Sequence, residues 1–117
     1  MRVAAIAITR GGARLGFRLR DSMAGLDLHV SRRYAGQAGK ECSCFEPSEM
    51  KTLLISIWKE YDGFVFIMAT GIVVRMISPL LESKEIDPAV VVMDDTGKFA
   101  ISLLSGHLGG ANELAER

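Results

Sequence analysis

Residues 63–69, Gly-Phe-Val-Phe-Ile-Met-Ala, form the segment that most limits the folds open to this chain. Every residue in the run is apolar or small, which predicts a strand buried on both faces. Such strands are typical of parallel sheets, because the helices that connect parallel strands cover both faces. The segment therefore favours an α/β fold over an all-helical or all-strand one.

Apolar runs and segments with helical spacing alternate along the rest of the chain. The predicted strands are Val3–Thr9, Leu26–Val30, Gly63–Ala69, Ala89–Met93 and Phe99–Leu104. The predicted helices are Arg10–Met23, Pro47–Tyr61, Ile72–Leu81 and one that starts near Gly110, and residues 34–44 are predicted to form a loop. The link between the last two strands is too short for a crossover and predicts an antiparallel hairpin. Residues 1–117 should form one three-layer α/β/α domain around a mainly parallel sheet of about five strands.

Composition excludes several classes of protein. Hydrophobic residues make up 49% of the chain and charged residues 24%, as in globular proteins. No apolar run reaches the ~18 residues that a membrane span needs, and the start lacks the apolar stretch of a secretory signal. Cys42 and Cys44 lack a second pair of zinc ligands and lie too close in sequence to bridge, so we expect free thiols of open role. We expect a cytoplasmic protein with no membrane partner.

The net charge of zero hides an uneven distribution. Residues 1–40 hold eight Lys and Arg residues but two acidic ones. This basic half either attracts an anion or forms a solvated helix face. No zinc-ligand spacing or aromatic-rich basic stripe is present, so we expect no nucleic-acid partner.

Ligands of open α/β sheets collect where strands end and helices begin, and three glycine-bearing segments have this arrangement. The first is Thr9–Arg14, in which Gly11 and Gly12 stand between Arg10 and Arg14. It lacks the glycine spacing of a dinucleotide fingerprint. The segment is either an anion site that includes Arg14 or an ordinary turn.

The second segment joins a predicted strand to a helix that is apolar on nearly all sides. Thr70 is expected to cap this helix ahead of Gly71, and Arg75, Ser78 and Glu82 share one stripe. Arg75 opposes the helix dipole, so a bound carboxylate would remove the conflict. The alternative is that Arg75 pairs with Glu82 or faces solvent. The apolar sides predict cover from a further domain or a second copy of the chain.

The third segment, Ser102–Glu113, reads as a strand, a glycine-rich loop and a helix start. Its backbone amides suit an oxyanion or a carboxylate, and His107 has the right pKa range for a general base. The alternative is a structural histidine. The polar and glycine residues that we assign to binding here are Ser105, Gly106, Gly109, Gly110 and Asn112.

Three blocks of the second half resemble the signatures of the cobalt-precorrin-5A hydrolase family, in the same order and spacing. They are residues 68–80 (MATGIVVRMISPL), 87–94 (DPAVVVMD) and 99–112 (FAISLLSGHLGGAN). Residues 1–60 match the family only in the layout of strands and helices. Proteins of this family continue into further domains, so the resemblance implies that this chain is an amino-terminal part.

The resemblance implies a reaction and roles for the candidate residues. Family members open the δ-lactone of cobalt-precorrin-5A and release acetaldehyde, giving cobalt-precorrin-5B in anaerobic cobalamin (vitamin B12) biosynthesis. His107 would then transfer protons, while Gly109 and Gly110 hold the oxyanion or a peripheral carboxylate. Thr70–Gly71, Arg75 and Arg14 would bind other acetate or propionate arms. Cobalt would arrive inside the corrinoid substrate, so the protein should need no cofactor or metal site of its own.

Two other functions stay open at this stage. One is a truncated tetrapyrrole- or anion-binding module without catalysis, which would depend on contact with missing carboxy-terminal domains or a homodimer. The other is a flavodoxin-like nucleotide-binding domain, which rests on fold analogy alone.

Overall fold

The computed structural model describes residues 2–34, 43–83 and 86–104. Three short 3-10 turns, Arg32–Tyr34, Pro47–Glu49 and Ser78–Leu80, accompany the regular elements. The strands are β1 (Val3–Ala7), β2 (Leu26–Ser31), β3 (Ser43–Phe45), β4 (Gly63–Ile67), β5 (Ala89–Met93) and β6 (Ala100–Leu104). The helices are α1 (Arg10–Ser22), α2 (Met50–Ile57) and α3 (Thr70–Ile77).

The strands form one six-stranded sheet in the order β3-β2-β1-β4-β5-β6. All neighbouring pairs are parallel except β5 and β6, which form the predicted antiparallel hairpin. Strands β2 and β3 are added in turn on one side of β1. After α2 the chain returns to the other side of β1, where β4, β5 and β6 are added in turn. The order therefore reverses between β1 and β4, which is the topological switch point where open α/β sheets bind ligands.

The helices cover both faces of the sheet, which confirms the predicted three layers. On one face, Ala13, Phe17 and Leu19 of α1 pack in a buried cluster with alternate strand residues such as Val65 and Ile67. On the other face, α2 and α3 pack over Phe64 and Phe66, both completely buried. This alternation along β4 explains why the run is apolar throughout: each face of the strand has its own helical cover.

The sheet has six strands, whereas the sequence predicted about five. The additional strand, β3, lies in the segment predicted to be a loop. Only one of its three residues, Phe45, is buried, so it carries no periodic apolar pattern. It is held by parallel pairing of its backbone with His29–Ser31 of β2. Tertiary pairing, rather than local preference, therefore makes this strand.

Two helices are shorter than predicted. The segment predicted as the helix Pro47–Tyr61 begins with a 3-10 turn and is α-helical only over Met50–Ile57. It ends in a tight turn, in which the Glu60 N–H donates a hydrogen bond to the Ile57 carbonyl at 2.9 Å. The inward positions Met50, Leu54 and Trp58 are buried as expected. Helix α3 ends at Ile77 and passes into a 3-10 turn that contains Pro79, because proline cannot continue the backbone hydrogen bonding. The helix predicted from Gly110 lies outside the described residues.

None of the helices within residues 2–34, 43–83 and 86–104 has the length and apolar character to cross a membrane.

Candidate functional site

The switch point brings the first two candidate segments to the same edge of the sheet. Ala7 of β1 is paired with Ile67 of β4, and both strands run in the same direction. The segments that follow them, Ile8–Arg10 and Met68–Gly71, therefore leave the sheet side by side. They lead to α1 and α3, which lie on opposite faces. The crevice between two such segments is where doubly wound sheets bind ligands.

The start of α1 is already occupied by groups of the chain itself. The Thr9 Oγ1 accepts a hydrogen bond from the Gly12 N–H at 2.9 Å, so Thr9 caps the helix. A Cβ on Gly11 would lie 3.2 Å from the Asp95 Oδ2, so this carboxylate stands beside the first turn. A Cβ on Gly12 would lie only 3.2 Å from the carbonyl oxygen of Ile67. The glycine pair therefore serves close packing and an internal carboxylate, as an ordinary turn would, and not open access for an external anion.

The turn between β5 and β6 holds Asp95 in this position. The Asp94 carboxylate accepts hydrogen bonds from the Thr96 hydroxyl and from the Phe99 N–H, which lower the pKa of Asp94. Gly97 adopts a positive φ of 78°, and a Cβ there would lie 3.3 Å from a methyl group of Leu15. The turn thus packs on α1, and Asp94 stabilises it through these two hydrogen bonds.

The start of α3 is different because its N-cap residue makes no side-chain hydrogen bond to the helix. Ala69 is the N-cap residue and lacks a polar side chain, whereas Thr70 is the first residue of the helix. The prediction that Thr70 caps α3 through its hydroxyl is therefore wrong. The Ile72 and Val73 N–H groups reach the Ala69 carbonyl at 3.1 and 3.4 Å. The N–H groups of Thr70 and Gly71, ahead of them, have no intrahelical acceptor, as in any first turn.

Arg75 belongs to the last turn of α3, so the expectation that it opposes the helix dipole is wrong, but its side chain reaches back toward the first turn. Its Nη1 lies 3.6 Å from where a Cβ on Gly71 would stand, so the guanidinium folds back toward the amino terminus of α3. Arg75 does not pair with Glu82, which contacts Lys59 at 3.6 Å, but Arg75 is exposed, so the alternative that it faces solvent is observed. The guanidinium and the N–H groups of Thr70 and Gly71 together form a small electropositive corner. This corner suits a carboxylate, which a guanidinium and backbone amides bind well.

Two apolar side chains flank Arg75 on the outer side of α3. Ile72 is 38% exposed and Val74 is 43% exposed. The cover that the sequence analysis expects from a further domain or a second copy of the chain stays a prediction. The outer side of α3 combines one cation with apolar surface, a combination that fits a large ligand with an apolar body and anionic arms.

The other predicted site residues do not join this corner. Arg14 is exposed on α1, which covers the opposite face of the sheet from α3. The end of β6 does not lie at the edge of the sheet that carries Thr70. Because β6 is antiparallel, its last residue, Leu104, pairs with Val90 near the start of β5, so the chain leaves β6 toward the opposite edge. The remaining predicted residues lie outside the described part of the chain: Ser105, Gly106, His107, Gly109, Gly110 and Asn112.

One buried polar residue was missed by the sequence analysis. His29 is only 6% exposed and lies on β2 within the otherwise apolar stretch Leu28–Val30. A single polar residue inside a buried strand is the signal that could have identified it.

Comparisons of this sequence with known proteins agree with one another. Residues 52–117 match the family model described as Cobalamin synthesis G N-terminal. A cobalt-precorrin-5A hydrolase of Priestia megaterium is 39% identical over 112 residues, which cover 95% of this chain and 30% of that protein. A cobalt-precorrin-5A hydrolase of Salmonella typhimurium is 59% identical over 54 residues, covering 46% of this chain and 15% of that protein.

A solved structure agrees with these sequence matches. It is that of a cobalamin biosynthesis protein G homolog from Sulfolobus solfataricus, with a TM-score of 0.68 and 26% identity over 98% of this chain and 32% of that one. The chain thus spans about a third, or less, of the length of the relatives it matches. The family model covers more than half of the chain, including α3 and its electropositive corner. The chain therefore belongs to the Cobalamin synthesis G N-terminal family.

Proposed function

We propose that this chain is the amino-terminal part of a cobalt-precorrin-5A hydrolase of cobalamin biosynthesis, and that it binds carboxylate arms of the substrate. The names of the relatives from Priestia megaterium and Salmonella typhimurium support the reaction. The structural observation that carries the binding role is the uncapped start of α3 with Arg75 folded over Gly71. A corrinoid intermediate carries acetate and propionate arms, which are the anions that such a corner binds.

The contacts of α3 suggest how one arm is held. A carboxylate at the first turn would accept hydrogen bonds from the Thr70 and Gly71 N–H groups and from the Arg75 guanidinium. Ile72 and Val74, half-exposed beside it, would contact apolar parts of the macrocycle.

The proposed reaction has two steps. Water attacks the lactone carbonyl, the ring C–O bond breaks, and the freed oxygen takes a proton to leave a hydroxyl and a carboxylate. A retro-aldol step then removes the hydroxyl proton, breaks the adjacent C–C bond, gives the electron pair and a proton to the ring carbon, and releases acetaldehyde. His107 is our candidate for these proton transfers, and the Gly109 and Gly110 amides are candidates for the oxyanion. The cobalt belongs to the substrate in this scheme.

The direction of β6 affects how these groups can share a substrate. Leu104, which precedes them, lies toward the opposite edge of the sheet from Thr70. Five-residue strands separate the two edges by about 16 Å at ~3.3 Å per residue. We therefore propose that the α3 corner and the segment after Leu104 contact different parts of a large macrocycle rather than the same carboxylate.

The binding role is tested by titrating this chain with cobalt-precorrin-5A and following the corrinoid absorbance. Loss of one charge-assisted contact in Arg75→Ala should raise the Kd about tenfold, or ~1.4 kcal/mol. Arg14→Ala is the matched control, because Arg14 is an exposed arginine on the other face. Equal affinities of the wild-type chain and Arg75→Ala would refute the α3 site.

Catalysis is tested separately by measuring acetaldehyde release. The comparison is between this chain alone and this chain fused to the remaining part of the Priestia megaterium relative. The relative's much greater length favours a second candidate function, a binding module that is inactive alone. Corrinoid binding without acetaldehyde from the isolated chain, but with acetaldehyde from the fusion, would support that candidate. His107→Ala in the fusion should abolish release if His107 transfers the protons.

A further inference from the structure

His29 is a titratable residue enclosed within the sheet. The residue is 6% exposed, and its two ring nitrogens, Nδ1 and Nε2, each have less than 1 Å² of accessible surface. Within the described part of the chain neither nitrogen has a hydrogen-bond partner. A neutral imidazole has one N–H donor, whereas the protonated ring has two and carries a positive charge. Protonation in this place would therefore bury a charge without a compensating hydrogen bond, which proteins avoid.

The charged groups around His29 do not favour the protonated ring. Burial lowers the pKa of His29, and the charges of Asp27 and Glu60 oppose this effect without cancelling it. The Asp27 carboxylate accepts a hydrogen bond from the Tyr61 hydroxyl at 2.7 Å and lies 3.7 Å from the Arg2 guanidinium. Burial and this hydrogen bond raise the pKa of Tyr61 to about 12, so its hydroxyl stays neutral in weak acid. The negative charge of Asp27 is thus already compensated by other residues.

The two strands beside His29 differ in how firmly they are held. On one side His29 is paired with Ile6 of β1, which is completely buried in the middle of the sheet. On the other side it is paired with Ser43 of β3. Strand β3 has three residues, of which the first two are exposed and only Phe45 is buried. Segments with few buried side chains separate from a fold at the lowest cost, so β3 is the cover that can move.

Solvent already lies close to the pair formed by His29 and Ser43. A groove of about 390 Å³ runs along the start of β2, and its lining includes Arg20, Asp27, His29, Ser43 and Tyr61. Arg20 brings a further positive charge to this groove, which does not favour a second cation nearby. A small movement of β3 would therefore bring the imidazole into contact with water.

We infer that protonation of His29 separates β3 from β2, so that this edge of the sheet opens in weak acid. In the open form the imidazolium is hydrated and both of its N–H groups have acceptors. The closed form disfavours the proton, whereas the open form binds it with the ordinary pKa of 6.5. The equilibrium constant for opening is therefore constant above pH 6.5 and rises below it, by up to about tenfold per pH unit for one proton. This opening does not depend on the proposed corrinoid function.

The test is amide hydrogen exchange, measured by NMR on the backbone amides that join β2 and β3, between about pH 7.5 and 5. Division by the intrinsic exchange rate at each pH gives the opening constant. This constant should rise by up to about tenfold per pH unit below pH 6.5. It should depend little on low concentrations of urea, because a local opening exposes little surface. The amides of β4, which exchange through global unfolding, should depend on urea steeply.

Two variants remove the titrating group in different ways. His29→Phe keeps an aromatic ring and His29→Gln keeps a polar side chain, and neither gains a proton in this pH range. In both variants the opening constant should not change with pH, and using two guards against the misfolding of one. His107→Gln is the matched control, because it removes the other of the two histidines and should leave the rise in place.

Four results would overturn the inference. They are an opening constant of the wild type that does not change with pH, an equal rise in both His29 variants, the loss of the rise in His107→Gln, and exchange between β2 and β3 that depends on urea as steeply as exchange in β4.

Discussion

Gly12 and Gly71 occupy equivalent places, each near the start of a helix that follows a central strand, yet alanine should have opposite effects at the two positions. A Cβ on Gly12 would lie 2.9 Å from the Thr9 Oγ1 and 3.2 Å from the Ile67 carbonyl oxygen. The first contact disturbs the cap of α1, worth ~1 kcal/mol, and the second presses on the backbone of a central strand that cannot easily move. The nearest atom to a Cβ on Gly71 is the Arg75 Nη1, at an ordinary 3.6 Å.

The expected change in the free energy of unfolding is the difference between two effects: the preference of a helix for alanine over glycine, and the steric cost of the added Cβ. Alanine is favoured over glycine in a helix by ~1 kcal/mol, and this gain should appear almost unopposed in Gly71→Ala. In Gly12→Ala the same gain is exceeded by the lost cap and the backbone contact, with a net loss of about 1–2 kcal/mol. For a domain of this size each kcal/mol corresponds to ~4 °C in Tm.

Thermal and urea denaturation of the two variants and the wild type measure the difference. Gly71→Ala should melt at or above the wild-type Tm, and Gly12→Ala about 4–8 °C below it. A Gly12→Ala variant as stable as Gly71→Ala would refute the assignment of Gly12 to close packing. It would also reopen the start of α1 as an accessible anion site.

Three further results are expected. Thr9→Ala should lower the free energy of unfolding by ~1 kcal/mol in urea titrations, because the Gly12 N–H loses its hydrogen-bond acceptor. Thr70→Ala is the control and should change the free energy of unfolding little, since Thr70 is not the N-cap residue of α3. Because burial lowers the pKa of His29 below its unfolded value of 6.5, stability should be fully present above that pH and decline as the pH falls below it. His29→Phe should remove that part of the decline, measured by urea titration between about pH 7 and 5. Phe66→Ala should lower the free energy of unfolding by about 3–5 kcal/mol in urea titrations followed by circular dichroism, because Phe66 is completely buried beneath α2 and α3.

The parts of the fold that the sequence predicted well are those with strong local patterns. Ala89–Met93 is observed with the predicted bounds because its run of valines has no competing interpretation. The hairpin followed from the length of the Asp94–Lys98 link. Strand β3 could not be predicted, because it depends on pairing with β2 and buries one side chain. The cap of α3 was displaced by one residue, since a sequence pattern does not specify where the backbone leaves the extended conformation.

The candidate site was predicted in part. Gly71 and Arg75 lie together as expected, whereas the pair Gly11–Gly12 proved to be filled by Thr9 and Asp95. The approach of Asp95 to α1 joins segments more than eighty residues apart, so no local pattern could have indicated it. His29 was overlooked because an imidazole inside a strand gives no spacing signal of its own.

The direction of β6, by contrast, could be deduced from the sequence. It has a consequence for the proposed function. A hairpin reverses the chain, so a segment that follows the second strand of a hairpin departs from the edge at which the parallel strands begin. Groups after Leu104 therefore start from a different edge than Thr70 and Gly71. The proposal that the α3 corner and the segment after Leu104 contact different parts of a macrocycle rests on this difference between the two edges. The family to which the chain belongs is named for the synthesis of such a macrocycle. The proposal of a large substrate with many arms therefore draws its support from the direction of β6, and not from the identity of any single catalytic residue.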